Sequence, residues 1–254
     1  MSATSDLSVS LDRQTHVAVV EICRPPHNYF DTALIHALAE TWEELDDDPD
    51  CRALVLCSQG RSFCAGRDFG RARAEGDDPD ALYAEAARLL DTGTPWIAAV
   101  HGAAIGGGLG LAMAADFRVA GPRARFSANF ARLGFHHGFG LTVTLPLAVG
   151  QQRATELLYA GERVDAEAAV AMGLADRLAA DAREEAVAFA ERIAGSAPLA
   201  VRAIRSTMRA GLVDRYRQAV GTESALQGPL RETADFREGV AAAKERRQPR
   251  FSGA

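Results

Sequence analysis

The segment Ile97-Ala98-Ala99-Val100-His101-Gly102-Ala103-Ala104-Ile105-Gly106-Gly107-Gly108-Leu109-Gly110 constrains the fold more than any other stretch of the chain. A strand-like apolar run enters three consecutive glycines. Leu109-Gly110-Leu111-Ala112-Met113-Ala114-Ala115 then reads as a buried helix. Glycine is costly inside regular elements, so three together predict a backbone that something approaches closely. The first N–H groups of a helix lack intrahelical partners and lie at the positive end of its dipole. Such a terminus receives a phosphate, a carboxylate or a developing oxyanion. The alternative is tight helix–strand packing with no ligand. A dinucleotide fingerprint is excluded, because the sixth residue counted from Gly106 is Leu111 and from Gly108 is Met113. A phosphate loop is excluded too, because the only lysine is Lys244.

A second segment narrows the choice. Ala53-Leu54-Val55-Leu56-Cys57-Ser58 reads as a buried strand and leads into Gln59-Gly60-Arg61-Ser62-Phe63-Cys64-Ala65-Gly66-Arg67-Asp68-Phe69. A glycine-bounded loop after one strand and a triple glycine after another can bring two backbone N–H groups onto one carbonyl oxygen. That arrangement is an oxyanion hole, which stabilises an enolate or a tetrahedral anion.

With these residues the chain resembles the crotonase (enoyl-CoA hydratase/isomerase) superfamily. Phe63 to Phe69 and His101 to Gly108 carry the resemblance, with Ala114 to Ala120, Phe126 to Gly140, Gly150-Gln151-Gln152-Arg153-Ala154 and Ala168 to Asp176 following in order. The resemblance implies an α/β fold: a crotonase-like spiral of ββα turns over residues 1–195, then a helical C-terminal trimerisation region over 196–254. It implies an acyl-CoA thioester as ligand, with coenzyme A as part of the substrate and no other cofactor. It implies trimers or dimers of trimers. The two oxyanion donors carry over as the backbone N–H groups of Arg67 and Gly107, with Ala65, Gly66, Gly106 and Gly108 shaping the backbone around the substrate. Asp68 matches a family aspartate and is expected to cap the helix that follows.

The departures from the family pattern matter equally. Hydratases of this family use two glutamates, and their positions fall here on Gly110 and Phe130. Neither glycine nor phenylalanine transfers protons, so Phe130 is expected only to shape the substrate pocket. His136 and His137, in the loop opening a helix over Leu141–Val149, are the available proton carriers, since an imidazole titrates near neutrality. The competing reading has one of them capping that helix or packing at a subunit contact. Side chains of adjacent residues are expected to diverge, which argues against a shared metal, and no metal-ligand spacing occurs elsewhere. Cys64 reads as a buried packing thiol rather than a nucleophile. The acidic run Glu75-Gly76-Asp77-Asp78-Pro79-Asp80 reads as a solvated loop on the wall of the acyl pocket. Asp77, Asp78 or Glu85 supplies a carboxylate there if the wall closes.

The remaining features suit an enzyme of the cytoplasm. Hydrophobic residues make up 48 % of the chain, enough for a substantial core, yet no apolar run approaches the ~20 residues of a membrane span. Met1 to Ser10 lacks the basic and apolar regions of a secretion signal. Cys23, Cys51, Cys57 and Cys64 show no disulfide framework. A net charge of −6 gives no general reason to bind nucleic acid. Arg24, Arg67 and Arg71 flank the expected nucleotide end of the substrate. A strand pair over Leu7–Leu11 and Val17–Ile22, and helices over Thr32–Leu45, Ala81–Leu90 and much of the chain beyond Gln151, complete the reading. Gly161, Gly173, Gly195 and Gly228 are expected to punctuate the later helices. Three functional readings follow: enolate chemistry on an acyl-CoA with noncanonical proton transfer, a conventional enoyl-CoA hydratase using other groups, and a non-catalytic acyl-CoA-binding protein.

Overall fold

The computed structural model describes residues 6–69 and 78–254. Arg71, Glu75 and Asp77, named above as candidate contacts or carboxylates, lie outside the described residues. The chain opens with an antiparallel pair, β1 (Leu7–Asp12) and β2 (Val17–Ile22), and helix α1 (Thr32–Asp47). Asp31 caps α1 through its side chain, which accepts from the Leu34 N–H. Three successive turns then repeat one plan. β3 (Ala53–Ser58) and β4 (Ser62–Cys64) precede α2 (Pro79–Asp91). β5 (Trp96–Val100) and β6 (Ala103–Ile105) precede α3 (Gly107–Ala114). β7 (Phe117–Ala120) and β8 (Arg125–Ser127) precede a 3-10 turn (Ala131–Leu133) and α4 (Leu141–Val149).

In each turn the first strand joins one sheet and the second joins another. The larger sheet has the order β1-β2-β3-β5-β7-β10, with β10 at Arg177–Leu178, and is parallel from β2 onward. The smaller has the order β4-β6-β8-β9, with β9 at Val164–Asp165. This is the spiral of ββα turns expected from the sequence. One detail differs. The apolar run from Ile97 is not one strand feeding the glycines but two, in different sheets. The break falls at His101-Gly102, where a Cβ on Gly102 would lie 2.2 Å from the Arg61 carbonyl oxygen. Only glycine lets the crossing chain pass so close to the neighbouring turn.

The larger sheet is buried on both faces, which accounts for its continuous apolar strands. Leu54 and Leu56 of β3 face the main core, while Val55 and Cys57 face a second cluster. That second cluster is closed by α7 (Ala182–Ala194), whose Ala182, Ala186, Ala190 and Ala194 form one stripe at four-residue spacing. Helices α5 (Gln151–Ala160) and α6 (Ala166–Ala171) complete this part of the chain.

The chain ends in α8 (Pro198–Met208), α9 (Leu212–Leu230) and α10 (Ala234–Glu245). Gly228 does not end a helix as expected; α9 runs through it to Leu230. Its last turn accommodates Pro229, and the Arg231 N–H is shared between the Gln227 and Gly228 carbonyls at 3.2 Å each. The C-terminal helices are tied to the spiral by Asp116. Its carboxylate accepts from the Trp96 N–H at 3.0 Å, from Arg205 Nε at 2.9 Å and from Arg209 at 2.5 Å. Burial alone would raise this carboxyl, but Arg205 and Arg209 outweigh it and hold the group below its ordinary value.

Breaking a buried, hydrogen-bonded ion pair by removing one partner costs about 3–5 kcal/mol. Asp116→Asn is therefore expected to lower stability at neutral pH by about that amount, measured by urea denaturation. A folded-state carboxyl depressed below its unfolded value contributes stability above the unfolded pKa and loses it as pH falls. The gap between wild type and variant should accordingly shrink on acidification.

Candidate active site

Two backbone segments meet at the floor of a cavity of about 410 Å³. One is Ala65-Gly66-Arg67, following β4; the other is Ile105-Gly106-Gly107, where β6 turns into α3. Their contact is backbone against backbone. A Cβ on Gly66 would lie 2.8 Å from the Ile105 oxygen and 3.2 Å from the Gly107 nitrogen. A Cβ on Gly108 would lie 2.0 Å from the Cys64 oxygen. Gly66 has φ +78 and Gly106 has φ +55, both in the region that disfavours side chains. The glycines thus serve close approach and positive φ together. Arg67 and Gly107 both border the cavity, and Gly107 opens α3, where N–H groups have no intrahelical partner.

The Arg67 loop is held from the β2–α1 connection. The Ala65 N–H donates to the His27 oxygen at 3.0 Å, and the Phe30 N–H donates to the Gly66 oxygen at 2.9 Å. Asn28 organises this connection. Fully buried, its side-chain amide donates to the Gln59 and Ser62 oxygens at 2.6 and 2.7 Å, and its Oδ1 accepts from the Arg24 N–H at 3.1 Å. Sequence inspection missed Asn28; its position after Arg-Pro-Pro-His was the available signal.

The walls are aromatic: Phe30, Phe69, Phe130, Phe135 and Phe139, with Tyr29 and Tyr83. Phe139 holds φ +60 and is buried. A Cβ on Gly110 would lie 2.5 Å from the Phe139 Cβ, so Phe139 takes the space a side chain at 110 would enter. Phe130 lines the cavity and meets Phe135 in a near-parallel stack at 6.5 Å. Asp68 is the one carboxylate among the described lining residues. The segment directly after it, residues 70–77, lies outside the described residues, and the next described helix, α2, is capped by Asp78, whose side chain accepts from the Asp80 N–H. Asp78 and Glu85 do not line the cavity; Glu85 pairs with Arg88 and, at 3.1 Å, with His36.

His136 and His137 are placed behind the wall, not in it. They do not diverge: their rings stack 4.2 Å apart at an interplanar angle of 25°. The chain turns sharply into α4 here, which lays one imidazole over the other. His137 Nε2 lies 2.8 Å from Thr142 Oγ1 and 3.7 Å from Glu223 Oε1, and its ring meets Phe130 edge-on. Glu223, reaching in from α9, is 1 % exposed at its side chain. It accepts from the Gly140 N–H at 2.8 Å, the Thr142 N–H at 3.0 Å and Thr142 Oγ1 at 2.6 Å. It thereby caps α4 from another helix. Burial raises its carboxyl despite these bonds.

Arg24 does not line the cavity either. It is held by Asp6 at 2.6 Å and Asp31 at 2.9 Å. Among the described residues, the basic groups that border the cavity are Arg67, Arg231 and Lys244, the last two from the C-terminal helical region. Cys64 is fully buried, and burial pushes its thiol up to about 12, which suits packing rather than attack.

This fold and this cavity define an α/β protein of the crotonase class. Residues 12–254 match the family described as enoyl-CoA hydratase/isomerase. The chain belongs to that family. It is 34 % identical to a carnitinyl-CoA dehydratase of Proteus mirabilis, over 97 % of this chain and 100 % of that protein. It is equally 34 % identical to an (E)-benzylidenesuccinyl-CoA hydratase of Thauera aromatica, over 98 % of this chain and 100 % of that protein. Among solved structures, an enoyl-CoA hydratase/isomerase of Pseudoalteromonas atlantica superposes with a TM-score of 0.87 at 32 % identity, covering 98 % of this chain and 100 % of that one.

Burial, and then the neighbouring His136, lower the His137 pKa to about 4. His137 is therefore expected to stay neutral at pH 6. Imidazole resonances followed by NMR should show it titrating near 4, and a midpoint at the ordinary 6.5 would contradict the burial described. An unfolded chain takes up this proton near 6.5, so His137 should lower stability as pH falls from about 6.5 towards 4.

Proposed function

We propose that this chain acts on an acyl-CoA thioester by stabilising its enolate, in the hydration–dehydration class of reactions. The thioester carbonyl oxygen accepts hydrogen bonds from the backbone N–H groups of Arg67 and Gly107. In dehydration a base takes the α proton and the C–H electron pair moves onto that oxygen; the pair then returns to form the Cα=Cβ bond as the β C–O bond breaks, and the departing hydroxyl leaves as water on receiving a proton; hydration is the reverse. Preorganised donors at the point where charge develops supply the stabilisation. The observation that carries this reading is the packing of the Gly66 loop onto the start of α3 at the cavity floor. The names of the relatives, a dehydratase and a hydratase of CoA thioesters, support it.

Gly110 and Phe130 stand where the family resemblance places the two hydratase glutamates, so proton transfer runs by another route. Asp68 borders the same cavity; His136 and His137 do not, and their place behind Phe130 favours holding the wall over carrying protons. Ala65, Gly66, Gly106 and Gly108 shape the thioester site, Phe130 contacts the acyl part, and Arg67, Arg231 and Lys244 offer positive charge to the nucleotide phosphates. Residues 196–254 form the helical region through which copies associate as trimers or dimers of trimers. Leu199, Ile204 and Met208, exposed along α8, supply apolar surface for that contact. Among the described residues no helix is long and apolar enough to cross a membrane.

Two experiments test the reading. Loss of a positioned acid or base costs ~10²–10⁴-fold, so crotonyl-CoA hydration should fall that far below a good hydratase, while α-proton exchange in D₂O proceeds. Full-speed hydration would contradict the proton-route argument; absence of both exchange and binding would contradict the site. Second, the Arg67 donor is backbone, so Arg67→Ala should retain exchange activity within a few fold. A Cβ on Gly107 would lie 2.4 Å from Phe30 Cζ, so Gly107→Val should displace the wall and the α3 terminus together. A loss of ~10²–10³-fold, as for a missing oxyanion donor, is expected in the folded variant.

A further inference from the structure

Among the described residues, two side-chain amides border the cavity, Gln227 and Asn129, and they differ in how they are engaged. Gln227 is committed. Its oxygen accepts from Tyr83 Oη at 3.1 Å and from Arg231 at 3.3 Å, and its nitrogen donates to the His136 and His137 oxygens at 3.1 and 3.2 Å. Asn129 is half-buried, and its amide makes no hydrogen bond among the described residues. Asparagine in a turn commonly bonds its own backbone, and Asn129 stands just before the 3-10 turn Ala131–Leu133. That turn carries no side-chain cap, so the amide is left to the cavity.

The smaller sheet decides where that amide stands. β8 pairs in parallel with β6, Ser127 opposite Ile105. The Gly106 N–H then donates to the Ser127 oxygen at 2.8 Å, which keeps the two chains together as they leave the sheet. Asn129 and Phe130 are thereby brought alongside Gly106. A Cβ on Gly106 would lie 3.3 Å from Asn129 Oδ1 and 3.7 Å from Phe130 Cζ. Gly107, the next residue, supplies one of the two proposed oxyanion donors. The chain behind Asn129 is fixed. Ser127 Oγ donates to the Gly161 oxygen at 3.1 Å, and a Cβ on Gly161 would lie 3.1 Å from Asn129 Cα. The amide is therefore carried by a tightly packed turn.

The geometry points to Asn129 as the specificity-determining residue that hydrogen-bonds an oxygen on the β-carbon of the acyl group. This inference rests on the acyl-CoA reading above. With the thioester oxygen on the Gly107 N–H, the β-carbon is only two bonds from the carbonyl carbon, which suits a side chain beside Gly106. An amide carries both a donor and an acceptor, and so does a hydroxyl. The matching ligand is a 3-hydroxyacyl thioester, and an amide fixed on one wall meets the hydroxyl of one enantiomer. The amide neither gains nor loses a proton near neutral pH, so Asn129 holds this oxygen while proton transfer falls to other groups.

The test measures calorimetric binding of three unreactive CoA analogues in which an amide N–H replaces the thioester sulfur. Two carry the (R)- and (S)-3-hydroxybutanoyl groups, and the third carries butanoyl, which lacks the hydroxyl. In the wild-type protein one enantiomer should bind about two- to tenfold more tightly than the butanoyl analogue, the range of one hydrogen bond, and the other enantiomer should show no such gain. Asn129→Leu keeps a side chain of similar size without polar atoms, and it should bring both preferences to about one. Asn129→Ala, which asks less of the surrounding packing, should do the same. Circular dichroism establishes that each variant is folded.

Wild-type protein that binds all three analogues equally would overturn the inference without recourse to any variant. So would folded Asn129→Leu and Asn129→Ala proteins that keep the wild-type preference for the hydroxyl and for one enantiomer. In both cases the analogues still bind, so the acyl-CoA reading stands and the role of Asn129 alone is rejected. If none of the three analogues, nor butanoyl-CoA itself, binds the wild-type protein, the acyl-CoA reading fails and the inference with it.

Discussion

The contact on which the site depends is made without side chains. The loop after β4 rests on the first turn of α3, with Gly66 against Ile105 and Gly107, and Gly108 against Cys64. At these separations any Cβ would force backbone apart. The contact sets the depth of the cavity floor, and it brings a loop amide beside a helix terminus that already carries partial positive charge. It also explains why the β2–α1 connection is so heavily bonded. Asn28 spends its side chain on three backbone groups there, which holds the His27 and Phe30 backbone where it grips the loop. The spiral plan supplies the rest. By pairing β4 and β6 in parallel within the smaller sheet, it sets the ends of two successive turns side by side.

The C-terminal helices complete the cavity that the spiral begins. α9 supplies Gln227, while Arg231 follows its last turn and Val240, Ala243 and Lys244 come from α10. Phe236 of α10 packs edge-on against Phe69 at 5.6 Å and at a tilt against Phe135 at 5.2 Å, sealing the aromatic wall. Glu223 reaches from α9 to the start of α4 and satisfies N–H groups that the αL residue Gly140 would otherwise leave without a partner. Asp116 anchors α8 beneath. The helical region and the core are thus joined by buried charge on one side and by aromatic packing on the other.

Much of this was legible in the chain where local physics decides the outcome. Residues 53–58 are apolar throughout because β3 is covered on both faces. The helices expected over Thr32–Leu45 and Ala81–Leu90 form as α1 and α2, each following an aspartate whose side chain caps its first turn. What was not legible depended on partners far along the chain. Nothing local at Ile97 to Ile105 says that Arg61 forces a crossing at Gly102. Gly228 reads as a terminator but faces an open groove, where a glycine need not end a helix. The pairing of Tyr83 with Gln227 spans 144 residues, and no periodicity reports it. The same limit holds for His136 and His137, whose residue type suggested chemistry while the turn into α4 stacked them behind Phe130.

The proposed site holds one thioester carbonyl between two backbone amides. Isotope-edited infrared difference spectroscopy reads that bond directly. With a ¹³C-labelled, unreactive acyl-CoA bound, the thioester carbonyl stretch is expected to shift to lower frequency than in water, and the shift to persist in Arg67→Ala. A bound ligand whose carbonyl stretch stays at or above its value in water would contradict it.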